Sequence, residues 1–227
     1  MQATPSGDEL TVFRDFTPLV ASERDRRDNF KTLLSCVVPR PIAFVSTISA
    51  DGISNLAPFS FFNAVGSNPP ALIFSPATKA DGTFKDTLNN LRAVGECVVH
   101  VVTHAMREAM NATSFPFPPE VDEFEAAGFT PLPSRFVRPF RAVESPVHME
   151  CKLVQIVPVG SGPLSANICI AEILCFHVAS DYLLPDGTVD VTKIDLVARL
   201  GGEDYSTMRD RFALLKPGLS KESISKK

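Results

Sequence analysis

A turn written Ala50-Asp51-Gly52, set between two apolar runs, constrains the fold more than any other feature of this sequence. Glycine tolerates the positive φ of a tight hairpin loop, so the runs on either side read as antiparallel strands. Ahead of the first run, Pro39 and Pro41 force extended backbone. Within Ile42 to Ser49, Ile42, Phe44 and Ile48 alternate with Ala43 and Val45, which makes a strand apolar on both faces. Such a strand suits the wall of a barrel or sandwich that also contacts a neighbour. The second run, Asn55 to Ala64, and a third, Ala71 to Ser75, are separated by the turn signal Gly66 to Pro70. The spacing predicts a β-meander rather than a βαβ unit.

The remaining elements extend an antiparallel pattern. Residues 1–28 are mostly polar and read as an arm lying on the main body or on a partner subunit; a short helical turn follows over Asn29 to Val38. Phe84, Leu88 and Leu91 recur at helical spacing, with Thr83 and Asp86 placed as a capping box, so a helix is expected over Thr83 to Leu91. Glu96 to Val102 reads as a strand, and His104 to Ala112 and Val121 to Ala127 as short helices. The proline-dense stretch 115–139 is a lid or insertion. Val147 to Val157 and Ser165 to Ala179 are longer strands joined by a turn at Pro158 to Pro163. The six or so antiparallel strands suit a small closed or split barrel, mainly β with peripheral helices, over residues 29–212. Residues 213–227 carry four lysines and several serines and read as a tail.

Composition removes several functions. Across 227 residues the formal net charge is −4, which gives no basic field for a polyanion, so nucleic acid is not expected as a partner. The five cysteines show neither a CxxC pair nor the spacing of a zinc or iron–sulfur site, and no metal ligand set is expected. No segment approaches the ~18 apolar residues of a membrane span, and no apolar leader opens the chain, so a cytoplasmic location without membrane contact is expected. Gly160 to Ser165 echoes a dinucleotide fingerprint but lies between two strands, where the strand-to-helix context is missing. No P-loop, HExxH or GxSxG is present. His100, His104, His148 and His177 read as structural, and no catalytic side chain is assigned.

Two places offer binding chemistry. Asn55 to Phe62 sets amide and hydroxyl groups beside Phe59, Phe61 and Phe62, a combination suited to a planar heteroaromatic ligand such as an isoalloxazine ring. Composition alone favours the plainer reading of three phenylalanines as core or dimer interface. Lys85, with Thr83 and Thr87 beside it at a helix start, joins a cation, hydroxyls and free amides in the way a terminal phosphate is held. Taken alone, it reads as a solvated lysine on a capped helix. Ser46 and Thr47 could add to a phosphate site, although adjacent strand residues face opposite sides.

Taken together, PRPIAFVST, the ADG turn, NLAPFSFF, the NPP turn and Lys85-Asp86-Thr87 resemble the flavin reductase-like family of FMN-binding split-barrel proteins, which includes flavoredoxin and the reductase components of two-component monooxygenases. The likeness extends through Glu96 to Val102, SPVHMECKL at Ser145 to Leu153, and Arg199-Leu200-Gly201-Gly202 with Tyr205. It implies a homodimer of Greek-key-like split barrels with FMN near the subunit interface. It places Ser46, Thr47, Asn55, Ala57, Pro58, Ser60 and Phe61 along the flavin ring and ribityl chain. Lys85 and Thr87 would meet the phosphate, Asp86 would support the helix start, and Arg40 and Arg199 to Tyr205 would stand behind them. The activity it implies is NAD(P)H-dependent reduction of FMN, serving a monooxygenase or another electron acceptor. An FMN carrier or sensor without NAD(P)H turnover, and an FMN oxidoreductase acting on an organic substrate, are the alternatives. The sequence does not separate NADH from NADPH.

Overall fold

The computed structural model describes residues 15–214 and Pro217. In chain order the elements are α1 (Arg26–Cys36), β1 (Arg40–Pro41), β2 (Ala43–Ile48), β3 (Ser54–Phe59), β4 (Phe62–Ser67), β5 (Pro70–Phe74) and α2 (Asp86–Val94). There follow β6 (Glu96–His100), α3 (Arg107–Ala112), α4 (Glu123–Ala127), β7 (Pro131–Leu132), β8 (Arg141–Ala142), β9 (Val147–Val159), β10 (Ala166–Val178), β11 (Val197–Arg199) and β12 (Tyr205–Thr207). The Asp51-Gly52 turn pairs β2 with β3 antiparallel, Gly52 sitting at φ +92° as the hairpin requires. Helix α1 begins at Arg26, so the last residues of the expected arm belong to it. Residues 1–14 and nearly all of the expected tail lie outside the described residues.

Seven strands form one antiparallel sheet in the order β3-β2-β6-β9-β10-β5-β4. This corrects the expected meander, because the β2–β3 and β4–β5 hairpins occupy opposite edges. Yet β3 ends at Phe59 and β4 starts at Phe62. Laid flat, the edges of seven strands would stand about 29 Å apart, whereas three residue steps reach about 10 Å. The sheet must therefore curl until its edges nearly meet, and the chain crosses the gap at Ser60 and Phe61. That crossing is why the single run expected over residues 55–64 is two strands, and the result is a split barrel.

Both faces of β2 are buried, each against its own cluster. Ala43 and Val45 pack with Leu72, Phe74, Val99, Ala171 and with Leu88 and Leu91 of α2. Ile42 and Phe44 pack with Met106, Met110, Phe124 and Phe129 around α3 and α4. The neighbour expected against the second face is thus part of the same chain. Thr83 does not cap α2: its backbone amide and hydroxyl both bind the Asp81 carboxylate, closing a turn of their own. The helix starts at Asp86 with Lys85 as its N-cap residue, later than the capping-box spacing suggested.

The proline-dense stretch is anchored at many points. Arg135 and Phe136 donate backbone N–H bonds to the fully buried Glu150, which also accepts from His177 at 2.6 Å. Arg138 N–H reaches Glu96 at 2.8 Å, and the Ser46 hydroxyl donates to the Phe140 carbonyl at 2.5 Å. Burial works against the Glu150 charge, but these N–H donors and His177 hold its carboxyl below the usual value.

Candidate functional site

The β3–β4 crossing opens into a groove of about 1120 Å³, whose walls are α1, the end of β3, the start of α2 and the segment from Arg199 to Tyr205. Its floor carries Pro58, Phe59, Ser60 and Phe61. Five cationic residues line it, Arg27, Lys31, Arg40, Lys85 and Arg199, against the single acid Asp204. On a chain of net charge −4 this concentrates positive potential in one place, and an apolar floor below it suits an anionic ligand with a flat ring. A second cavity of about 610 Å³ adjoins the groove, sharing Met110, Asn111 and Tyr205 with it. The Tyr205 hydroxyl donates to Asn111 Oδ1 at 3.3 Å on the boundary between them.

Arg40 builds the wall of this groove. It is only 4% exposed, and its guanidinium donates to the carbonyls of Leu34 at 2.8 Å, Val37 at 2.7 Å and Leu200 at 2.7 Å, with a long contact to Ser60 Oγ at 3.4 Å. One side chain thereby ties the end of α1, the 200 loop and the sheet crossing together. Burial first, and then Arg199 directly opposite in the β1–β11 pair, lower its pKa. Arg199 itself stacks on the Tyr205 ring at 4.3 Å and donates to the Gly202 carbonyl.

Lys85 stands at the N-cap of α2, where helix amides lack partners within the helix. Its ammonium lies 5.6 Å from the Phe59 ring centre. Desolvation and the like charge of Lys79 lower its pKa, opposed by Asp86. Asp86 pairs with Lys79 at 3.5 Å, which leaves the Lys85 ammonium facing the groove without a carboxylate of its own among the described residues.

Behind Lys85 lies a buried polar network. Asn55 Oδ1 accepts from the Thr87 hydroxyl at 2.7 Å and the Thr47 hydroxyl at 3.2 Å, while Asn55 Nδ2 donates to Glu123 Oε1 at 2.9 Å. Asn90 Nδ2 donates to Thr47 Oγ1 at 3.1 Å, and Leu56 N–H donates to Glu123 Oε2 at 3.1 Å. All five side chains are less than a tenth exposed. Burial raises the Glu123 pKa against the pull of its two N–H donors.

Among the sequence-predicted site residues, the fold brings Pro58, Ser60, Phe61 and Lys85 to the groove. Thr47, Asn55 and Thr87 meet one another in the network behind it. Ser46 faces Phe140, Ala57 is half-buried opposite Val45 in the β2–β3 pair, and Asp86 sits at the helix start against Lys79. Three contributions were absent from the sequence reading: Arg27, Lys31 and Glu123. The first two carry a signal, since they stand four apart and so share one helix face. Glu123 carries none, because nothing in a run of acids between prolines marks the one that is buried. Among the described residues no group of three or more metal-ligating side chains is placed to hold an ion, and no helix is long and apolar enough to cross a membrane.

Comparison with known proteins gives concordant findings. The flavin reductase like domain family matches residues 34–190. An uncharacterised protein of Halalkalibacterium halodurans is 41% identical over 197 residues, 86% of this chain and 94% of that one. Nitrilotriacetate monooxygenase component B of Bacillus cereus superposes with TM-score 0.84 at 32% identity, covering 88% of this chain and all of the other. The 2-nitrobenzoate 2-nitroreductase NbaA of Pseudomonas fluorescens superposes with TM-score 0.81 at 28% identity, covering 90% and 98%.

Proposed function

The chain belongs to the flavin reductase-like domain family, and from that premise we propose that it is an FMN-binding oxidoreductase that passes hydride from NAD(P)H to the flavin. The observation that carries this reading is the groove: five cationic residues and one acid around an apolar aromatic floor, on a chain of negative net charge. This donor set fits FMN. Lys85 and the α2 amides would hold its dianionic phosphate, with charge-assisted bonds of the kind that bind phosphate at helix starts. Phe61 and Pro58 would supply apolar contact to the ring, and Ser60 with the backbone of the crossing would supply polar contacts.

FMN, when bound, provides the redox chemistry, its ring taking up hydride from a reduced nicotinamide. The task of the chain is to hold the flavin and to leave one side of the groove open. No side-chain acid or nucleophile is required. The adjoining cavity at Tyr205, Met110 and Asn111 supports a two-ligand reading, because it offers the nicotinamide nucleotide space continuous with the flavin groove. The proline-dense stretch does not line the groove, which favours turnover over a carrier that shields its flavin. The likeness to a monooxygenase component supports a separate monooxygenase as acceptor of the reduced flavin. We assign the protein as a homodimer, with exposed Val154, Leu174 and Phe176 on the β9–β10 ribbon as the apolar surface it covers.

The likeness to a nitroreductase supports a second reading, in which the flavin stays bound and reduces an organic substrate. Anaerobic stopped-flow absorbance of the FMN-loaded protein tests both. Bleaching of the flavin band by NADH or NADPH, followed by release of reduced flavin, is the expected outcome. Bleaching without release supports the second reading, and no bleaching with either nucleotide sinks the reductase assignment.

A further inference from the structure

With Glu123 ionised, the polarity of the buried network follows from donor and acceptor counts. Glu123 receives two N–H groups, one on each oxygen: Asn55 Nδ2 and the Leu56 backbone amide. The ionised carboxylate accepts both, one on each oxygen, and no proton on Glu123 is needed to complete the network. The Leu56 amide cannot turn, because it belongs to β3. Asn55 must then present its NH2 to Glu123 and its carbonyl oxygen to Thr47 and Thr87, so both hydroxyls donate to it. With its hydrogen committed, Thr47 accepts from Asn90. A single carboxylate on α4 therefore orders the side-chain hydrogens of Asn55, Thr47, Thr87 and Asn90, which lie on β3, β2 and α2. Thr87 and Asn90 are both on α2, the helix whose N-cap Lys85 lines the groove.

We infer that Glu123 is a positioning residue: its carboxylate sets the direction of the Asn55–Thr47–Thr87–Asn90 network and thereby holds the start of α2 against the groove. The link to ligand binding rests on the reading of that groove as the FMN site. A glutamine side chain in place of Glu123 would be nearly isosteric, yet it offers one acceptor where two donors arrive. Either its NH2 opposes an N–H, or Asn55 turns over and points its own NH2 at the two threonine hydroxyls. The inverted network re-homes the Thr47 hydrogen only if Asn90 turns over as well, and it strands the Thr87 hydrogen in a buried site with no acceptor in the network, a loss of the kind that costs most in low dielectric. A compensating change follows from the same count. In the double variant Asn55→Asp with Glu123→Gln, the introduced amide accepts from Leu56 N–H and donates to the introduced carboxylate, whose other oxygen accepts both threonine hydroxyls as before. Asn55→Asp alone sets two carboxylates face to face.

The test is the four-member cycle of wild type, E123Q, N55D and the double variant, read two ways. The thermal midpoint of the ligand-free protein reports the network, and FMN affinity by fluorescence titration reports the groove. E123Q is expected to lower the midpoint by about 5 °C and to weaken FMN by about tenfold. The double variant is expected to return both close to wild type. A midpoint unchanged in E123Q, or a double variant no better than the single ones, overturns the inference; if E123Q does not fold, the double variant decides by the same criterion. Midpoint rescue with FMN affinity flat across the cycle also overturns it, by uncoupling the network from the groove. Absence of FMN binding in wild type instead sinks the assignment of the groove, a failure visible separately because the midpoint cycle uses no flavin.

Discussion

Replacing Arg40 by methionine tests whether the groove wall is held by one buried guanidinium. The side chain makes three short bonds to the carbonyls of Leu34, Val37 and Leu200. A hydrogen bond involving a charged group contributes ~1.5–3 kcal/mol net, so three intact bonds bound the loss from above at about 5–9 kcal/mol. Two effects reduce it. Arg40 has no carboxylate partner among the described residues, so its removal recovers desolvation energy. Val37 is 52% exposed, so its carbonyl regains water. With about 1–2 kcal/mol for each of the two carbonyls left less hydrated, R40M is expected to lose about 3 kcal/mol, a substantial part of a typical stability of about 5–15 kcal/mol. Urea unfolding should record it as a shifted midpoint at constant slope, and thermal unfolding as a drop of roughly 6–12 °C. Hydrogen exchange should quicken at the α1 end and around Leu200 before the rest of the sheet. R40K keeps the charge but not the fork, and should lose about half as much. Stability of ligand-free R40M within about 1 kcal/mol of wild type would refute the staple.

Two further outcomes follow. Lys85→Ala should change stability little, because the side chain makes no hydrogen bond or ion pair among the described residues, but weaken FMN about tenfold at low salt, with the gap narrowing as ionic strength rises; equal affinities by titration would remove Lys85 from the site. His100 bridges the Phe44 carbonyl and the Ala142 amide, and its pKa is pushed down to about 3, chiefly by burial and next by His148. A histidine depressed in the folded state is protonated first in the unfolded chain, so stability falls as pH drops below the unfolded value of about 6.5 and continues falling to about 3. From about pH 7.5 to about pH 5 the His100 contribution is about 2 kcal/mol; urea midpoints should show it in wild type and lose it in His100→Gln.

What was legible in the sequence follows from the range of the interactions that decide each feature. The β2–β3 hairpin is set by Asp51-Gly52, the apolar face of α2 by Leu88 and Leu91, and the long β9–β10 pair by its own turn. All of these are local, and the existence and pairing of these elements were expected, although α2 starts three residues later than expected and β3 stops at Phe59 instead of running on to Ala64. The sheet order was not legible, because β4 leaves β3 only through the two residues Ser60 and Phe61 and then pairs with nothing nearby except β5. Its position at the far edge is imposed by β10, which comes much later in the chain. The site divides along the same line. Pro58, Ser60, Phe61 and Lys85 reach the groove from segments whose residue types already suggested binding. Arg40, between two prolines, was placed behind the site only by the resemblance, and Glu123, among acids, was not singled out at all, since burial is decided by what folds over them. Arg40 becomes a staple only when the loop at Leu200 arrives across the sheet crossing. Glu123 becomes the sole carboxylate in a five-residue network only when α4 settles on β3. The two residues least legible from sequence thus carry charges that solvent screens little, and substitutions there are expected to reach the groove from behind.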